Sequence, residues 1–173
     1  LLAAGGALNL SNNVRYSAGS DLALTGVGHQ INALLVENTS TTSPINLTGT
    51  GGIDTLSIAS GAILFTGSAT PQGITLGAFD GGIATNTNEY ILTQNNTSTA
   101  GVTINSPLVS NATLTKSGPG LLKLGAKAFG LNGNVVINQG VLGISDASFL
   151  NNRPVILSGG TLGLMPDGAG NST

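Results

Sequence analysis

Two periodicities, one nested inside the other, constrain this chain more than any other feature. A Gly-x-Leu-x-apolar pattern spans Gly140–Ile144 and recurs at Gly160–Leu164, and Leu122 precedes Leu142 by the same interval. Inside each segment apolar residues alternate with small or polar ones, which is the period of a β-strand with one buried face. A two-residue period repeated at an interval of roughly 20 residues is typical of a parallel β-helix, whose coils lie on one another. The sequence therefore predicts that Leu122, Leu142 and Leu162 stack along one axis.

The composition supports an all-β fold. Only 7% of the residues are charged while 40% are apolar, so self-repulsion does not keep the chain unfolded, and glutamate, which long helices need in number, occurs twice. Short apolar segments alternate with Gly, Asn and Ser turn steps, and one helical turn is predicted at Asp146–Leu150 with Asp146 as its N-cap. At roughly 20 to 25 residues a coil, residues 1–173 predict a single β-solenoid domain of about seven or eight coils. An antiparallel β-sandwich is the alternative fold.

One segment resembles a known repeat. The sequences LTKSGPGLLKLG at 114–125 and GNVVINQGVLGI at 133–144 are similar to the two halves of the autotransporter-associated β-strand repeat of bacterial surface proteins. The turn at 128–133 departs from the Asn-aromatic spacing of that family. The resemblance implies a right-handed parallel β-helix that forms part of a larger exported protein, with no chemistry attached to the repeat itself.

The same pattern assigns side chains to the inside and the outside of the solenoid. Lys116 and Lys123 are expected at solvated outer positions. Phe65 and Phe79 are expected to cap the ends of the core. Columns of Asn, Ser and Thr are expected to hydrogen-bond between neighbouring coils, whereas a column of like charges would repel itself.

Catalytic signals are weak. His29 is the single histidine, no Gly-x-Ser-x-Gly elbow, P-loop or dinucleotide motif occurs, and there is no cysteine. We interpret His29 as a surface or turn residue. Asp146 and Asp167 stand about one coil apart and, with Lys123, form the best constellation for carbohydrate cleavage, but both acids fit solvated turns better. The sequence therefore predicts a non-enzymatic protein without catalytic residues, cofactor or metal.

Three further features are candidates for binding or modification. Gly49–Leu56 differs at one position from a nine-residue calcium-binding repeat, but a single copy cannot build that site. Tyr90 is the aromatic residue we would test for ligand contact. Asn-x-Ser/Thr triplets, which we interpret as incidental in so Asn-rich a chain, begin at Asn9, Asn38, Asn46, Asn95, Asn96, Asn111 and Asn171.

These observations together predict a mechanical role. A net charge of −2 gives no attraction to nucleic acid, and no stretch reaches the roughly 20 apolar residues of a membrane-spanning helix. Neither terminus supplies an evident cap, so we expect a segment of a longer exported protein or a subunit that stacks head to tail. The expected protein is a rigid rod at the bacterial cell surface or outside the cell, serving as fibre, coat or adhesin stalk. The alternatives are a carbohydrate-active β-helix enzyme and a module that binds a host or matrix glycan or protein.

Overall fold

The chain folds into a β-solenoid. The computed structural model describes residues 11–67, 70–125 and 130–165. Within these ranges the strands form sheets A and B, of seven strands each, and sheet C, of three. Every pairing between described strands is parallel, which confirms the predicted fold class and excludes the antiparallel sandwich.

The strands follow one another around the coil. In chain order they are β1 (Asn13–Ala18), β2 (Leu22–Ala23), β3 (His29–Ile31), β4 (Ala33–Asn38), β5 (Ile45–Thr48), β6 (Thr55–Ile58), β7 (Ala62–Gly67), β8 (Ile74–Gly77), β9 (Gly82–Ala84), β10 (Glu89–Gln94), β11 (Val102–Ile104), β12 (Thr113–Ser117), β13 (Leu121–Leu124), β14 (Val135–Ile137), β15 (Gly140–Ile144), β16 (Val155–Leu157) and β17 (Gly160–Leu164). Sheet A has the order β1-β4-β7-β10-β12-β14-β16, sheet B β2-β5-β8-β11-β13-β15-β17, and sheet C β3-β6-β9. The stack makes about six turns, close to the number predicted.

The central prediction of the sequence is confirmed by the register of sheet B. Leu122 pairs with Leu142, and Leu142 pairs with Leu162. The column continues in the other direction through Val102 and Ile74. Because the inward-facing side chains of successive coils stand over one another, the core is one continuous column of mainly aliphatic residues with a few aromatic ones.

The coils are not all of one size. Leu34 pairs with Ile63 in the N-terminal part of sheet A, whereas Val135 pairs with Val155 in the C-terminal part, across a clearly shorter stretch of chain. The N-terminal coils contain a third strand in sheet C, and the C-terminal coils run through sheets A and B alone. The predicted coil length holds for the first coil and for the C-terminal coils, and it is too short for the coils that begin at β4 and β7.

The predicted helical turn is present and the predicted end caps are not. A single turn of 3-10 helix spans Ala147–Phe149, and the Asp146 carboxylate accepts a hydrogen bond from the Ser148 N–H at its start. Phe65 lies in β7, the third of the seven strands of sheet A, and both Phe65 and Phe79 are fully buried. The end-cap prediction is wrong because the longer coils enclose enough room for phenylalanine inside the stack.

Candidate functional surfaces

Polar side chains line the corner between sheets A and B in several coils. The buried members are Asn38, Gln94, Asn96 and Lys116. Asn38 Nδ2 donates to the Gly73 carbonyl at 3.0 Å, and Asn96 Nδ2 donates to the Gln72 carbonyl at 2.8 Å. The backbone leaves the strand ladder at this corner, so its carbonyl groups need other donors, and the side-chain amides supply them. These residues tie neighbouring coils together rather than bind a ligand.

Lys116 belongs to the core, not to the surface. It lies in an inward-facing column of sheet A, between Leu92 and Ile137, and is fully buried. The prediction of a solvated outer position is wrong because Lys116 shares the phase of Leu114 in the alternating pattern, and its aliphatic stem packs like its neighbours. The alternation in the sequence indicates this inward position, whereas the charge of the residue alone favours the outside.

The Lys116 ammonium group reaches the polar corner at the end of its column. Nζ donates to the carbonyl oxygens of Ser117 at 3.1 Å, Gly118 at 2.6 Å and Gln139 at 2.9 Å. Burial lowers the pKa of Lys116 to about 8, so the group carries its charge at neutral pH. Gln139 lies between β14 and β15 in the next coil, and the ammonium therefore joins two successive coils.

A second buried cluster holds the corner between sheets B and C. Asp54 is fully buried, and its carboxylate accepts hydrogen bonds from the backbone N–H groups of Gly28 at 3.2 Å and Thr50 at 2.9 Å. The His29 Nε2 atom lies 3.5 Å from Asp54 Oδ1, and the His29 side chain is only 12% exposed. His29 is the first residue of β3 and directly follows a loop, which fits the interpretation as a turn residue, whereas the surface position is wrong because the side chain is largely covered.

The Asp54 carboxylate acts as a clasp, by which we mean that it holds the loops of two successive coils together. One carboxylate oxygen of Asp54 faces Gly28, on the loop of the first coil, and the other faces Thr50, on the next. In the calcium-binding pattern that Gly49–Leu56 resembles, the corresponding oxygens would face an ion instead. The described ranges contain no group of three or more His, Asp or Glu side chains that could share a metal ion.

We predict that Asp54→Asn lowers the free energy of unfolding by about 2 kcal/mol, since the amide keeps one acceptor and turns an N–H donor toward another donor. Denaturant unfolding followed by circular dichroism measures the change. Asp21→Asn is the matched control, because Asp21 is exposed and accepts from Asn46, and about 0.5 kcal/mol or less is expected there. Equal losses for the two variants would contradict the role of Asp54 as a clasp.

Tyr90 is a structural residue and not a ligand contact. It is fully buried, its hydroxyl donates to the Ile83 carbonyl at 2.7 Å, and the same oxygen accepts from the Ser110 N–H at 3.1 Å. Burial raises the pKa of the Tyr90 hydroxyl. The prediction of ligand contact is wrong because the alternation in β10 turns Tyr90 inward, in register with Leu114.

Of the residues considered for carbohydrate cleavage, the structure describes Asp146 and Lys123. Asp146 is exposed, and its hydrogen bond from the Ser148 N–H lowers the pKa of its carboxyl group. Lys123 faces outward on sheet B, in register with Gly143. Asp167 lies outside the described residues. Asp146 therefore serves as the helix cap that the sequence predicted.

The Asn-x-Ser/Thr triplets divide by burial. Asn38 and Asn96 are buried and hydrogen-bonded in the polar corner, which leaves no access for a modifying enzyme. Asn46 donates to Asp21, while Asn95 and Asn111 are exposed. Asn9 and Asn171 lie outside the described residues.

The outer face of sheet A carries a shallow apolar groove of about 330 Å³. Ala33, Leu35, Ala62, Leu64 and Ile91 are among the residues that line it.

The strands β16 and β17 form the last edge of the described stack. Leu157 is 57% exposed and Leu164 is 68% exposed, although their column neighbours in the preceding coil, Ile137 and Ile144, are exposed by only 0% and 1%. Among the described residues no strand pairs with the far side of either strand. This edge presents both backbone hydrogen-bonding groups and the aliphatic side chains of an interior coil.

Comparisons with known proteins found no matching family model, no matching curated protein and no matching solved structure. Within residues 11–67, 70–125 and 130–165, no helix is long and apolar enough to cross a membrane. The architecture defines the chain as a parallel β-solenoid.

Proposed function

We propose that this chain is a structural β-solenoid, a stiff rod on the outside of a bacterial cell that serves as fibre, coat or adhesin stalk. The edge formed by β16 and β17 carries the proposal. A strand edge with aliphatic residues in the phase of the core fits one more solenoid coil, because such a coil pairs its backbone and covers the exposed leucines at once. The rod extends when a further coil, from a longer chain or another molecule, occupies this edge.

The column pattern supports end-to-end stacking. Val14 of β1 and Leu157 of β16 are the two end members of one inward-facing column of sheet A, which runs through every strand of that sheet. A coil equivalent to the first one, placed after β16, would set a residue like Val14 over Leu157. The aliphatic column would then continue without a break in its period.

The polar corners support a mechanical role. Gln94 Nε2 donates to the Leu121 carbonyl of the next coil at 3.0 Å, and Lys116 Nζ donates to the Gln139 carbonyl of the coil after that at 2.9 Å. A force along the axis therefore acts on side-chain hydrogen bonds in addition to the strand ladders. The resemblance of residues 114–144 to an autotransporter repeat supports placing the rod on a bacterial surface.

We predict that the wild-type protein forms longer particles of constant cross-section as its concentration rises, and that Leu157→Lys with Leu164→Lys abolishes this growth. Two buried ammonium groups at the joint cost several kcal/mol, so the blocked edge no longer accepts a coil. Small-angle X-ray scattering gives the maximum dimension and the cross-section, and negative-stain electron microscopy shows the particles.

Thr161→Lys is the control, since Thr161 is exposed on the outer face of β17 and the substitution adds a lysine to the same edge strand with its charge directed away from the joint. It is expected to elongate like the wild type. A wild-type particle whose length stays constant at all concentrations, and which is also absent from fibres of the native surface, would overturn the proposal.

A further inference from the structure

The sequence contains one Asn-Gly step, Asn132–Gly133, which stands just before β14. Asn132 is exposed, whereas Leu131 before it is fully buried and Gly133 after it is half-buried. In an Asn-Gly step the glycine nitrogen can attack the side-chain carbonyl carbon of the asparagine, because glycine has no Cβ that obstructs the approach. The amide of Asn132 is therefore the most reactive asparagine amide that the sequence offers.

The neighbouring coil requires a glycine at position 133. A Cβ built on Gly133 would lie 2.6 Å from the backbone nitrogen of Thr113 and 2.6 Å from its hydroxyl oxygen. The Gly133 N–H also donates to the Ala112 carbonyl at 3.2 Å. The backbones of two successive coils therefore touch at this point, and a larger residue would push them apart.

The side chain of Asn132 forms a bridge to the preceding coil. Asn132 Nδ2 donates to Asn111 Oδ1 at 2.8 Å. It is a hydrogen bond between neighbouring coils of the kind that the sequence predicts for columns of asparagine. Asn32 and Asn13 form the same bond between the first two coils, at 2.7 Å. The bridge favours asparagine and the packing requires glycine, so the stacking of the coils itself creates the reactive step.

The reaction at this step needs only water. The Gly133 nitrogen loses its proton and forms a bond to Asn132 Cγ, and the side-chain nitrogen leaves as ammonia. Water then opens the succinimide ring at one of its two carbonyl carbons, which gives aspartate or isoaspartate at position 132. The net change is the exchange of an NH2 group for an OH group, without an oxidant or a reductant. At neutral pH the product carries one new negative charge.

We propose that Asn132 is a modification site whose reactivity is controlled by the contact between its coil and the preceding one. While the contact is closed, the Asn132 amide is held by Asn111, and the Gly133 N–H is held by the Ala112 carbonyl. When the coils open locally, both reacting groups become free to turn toward each other. Conversion at position 132 therefore records the opening of the boundary between β12 and β14.

The product weakens the boundary at which it forms. An ionised carboxylate at position 132 has no N–H to donate to Asn111 Oδ1. Isoaspartate also adds one carbon atom to the main chain, immediately before a glycine that already contacts Thr113 closely. A boundary that has reacted is thus less able to close again. This chemistry needs only the stacked coils, and it therefore stands apart from the proposed surface role.

Storage of the full chain, folded and unfolded, tests the proposal. Samples kept at neutral pH and physiological temperature are mapped by tandem mass spectrometry of their peptides, which locates the mass gain and separates aspartate from isoaspartate. In the chain unfolded by guanidinium chloride, position 132 is expected to be the first asparagine converted. In the folded chain the conversion is expected to be about 10-fold slower or more, since the boundary must open first.

Two alanine variants test the bridge. Asn111→Ala removes the acceptor of the Asn132 amide, and it is expected to speed the conversion in the folded chain about 5-fold, because the boundary loses one net hydrogen bond. Asn13→Ala removes the equivalent acceptor between the first two coils, and as the matched control it is expected to leave the rate at position 132 unchanged. Circular dichroism checks that both fold. In guanidinium chloride the wild type and both variants should react at the same rate.

Four results would overturn this control of Asn132 by its coil contact. Equal rates in the folded and the unfolded chain would show that the stack does not protect the amide. An unchanged rate in Asn111→Ala would show that the bridge contributes nothing, and equal acceleration by Asn13→Ala would show a general loosening of the stack. A first mass gain at another asparagine of the unfolded chain would show that the Asn-Gly step is not the reactive one.

Discussion

Gly61→Ala is expected to lower the free energy of unfolding by about 4 kcal/mol, the largest loss we expect from adding a single methyl group to this chain. Gly61 has a φ of +69°, and a Cβ there would lie 2.0 Å from the Glu89 carbonyl oxygen of the next coil. The neighbouring atom is backbone within the strand ladder, since the Ile91 N–H donates to the Gly61 carbonyl at 2.9 Å. The loss combines the strain of a left-handed alanine with overpacking between two coils that cannot separate.

Gly26→Ala is the matched control for this prediction. Gly26 has a φ of +97°, and its Cβ would meet nothing within 4 Å, so only the backbone strain of about 1 kcal/mol applies. Urea unfolding of the two variants, followed by circular dichroism, measures the difference. If Gly61→Ala lowers the free energy of unfolding no more than Gly26→Ala does, the coils can move apart at this turn, and the stack is not stiff there.

The sequence predicted the parts of the fold that follow from its period. Leu122, Leu142 and Leu162 stack as expected because their coils have the same length, so one interval relates all three. No such fixed interval relates equivalent residues of the N-terminal coils. Their extra strand in sheet C follows turns of different length, and a variable turn destroys the fixed interval although the inward and outward alternation persists.

The predictions about single side chains were wrong where they followed the type of residue and not its position in the inward and outward alternation of the strand. The charge of Lys116 predicts an outer position and the ring of Tyr90 a ligand contact, yet both occupy inward positions of alternating strands. The local sequence around Asp54 indicates only a calcium-like loop. Its hydrogen bond from Gly28 joins two successive coils, and no local pattern indicates such a partner. The polar corners are consequently visible only once the coils are stacked.

The apolar groove on the outer face of sheet A is a further feature that the alternation alone does not reveal. Leu35 and Leu64 stand at outward positions of their strands although both are large aliphatic residues. Only the register, which sets Leu35 beside Leu64 and Leu64 beside Thr93, shows that these residues share an outer surface. Which face of a strand is the inner one depends on neighbours that the local pattern does not contain.

Lys116→Met is expected to lower the free energy of unfolding by about 3 kcal/mol. Methionine fits the aliphatic column between Leu92 and Ile137, so packing changes little. The loss arises because the three carbonyl oxygens that accept from Nζ, of Ser117, Gly118 and Gln139, would lose this donor, at about 1 kcal/mol each. Lys123→Met, on the outer face of sheet B, is the matched control and should change stability by about 0.5 kcal/mol or less. Equal effects would place both lysines at the surface after all.

The pH dependence of the difference between the wild type and Lys116→Met tests the environment of the ammonium group directly. Burial lowers the pKa of Lys116 from 10.5 to about 8, so between these values the unfolded chain binds more protons at this residue than the folded one. The free energy of unfolding of the wild type should therefore rise relative to that of Lys116→Met as the pH increases from about 8 to about 10.5, and the gap between them should be constant at neutral pH and below. Titrations of other groups, including Tyr90, occur in both proteins and cancel in the difference. Parallel urea unfolding series at each pH measure the gap. A gap that narrows with rising pH would mean that the three carbonyl oxygens hold the proton more strongly than burial expels it.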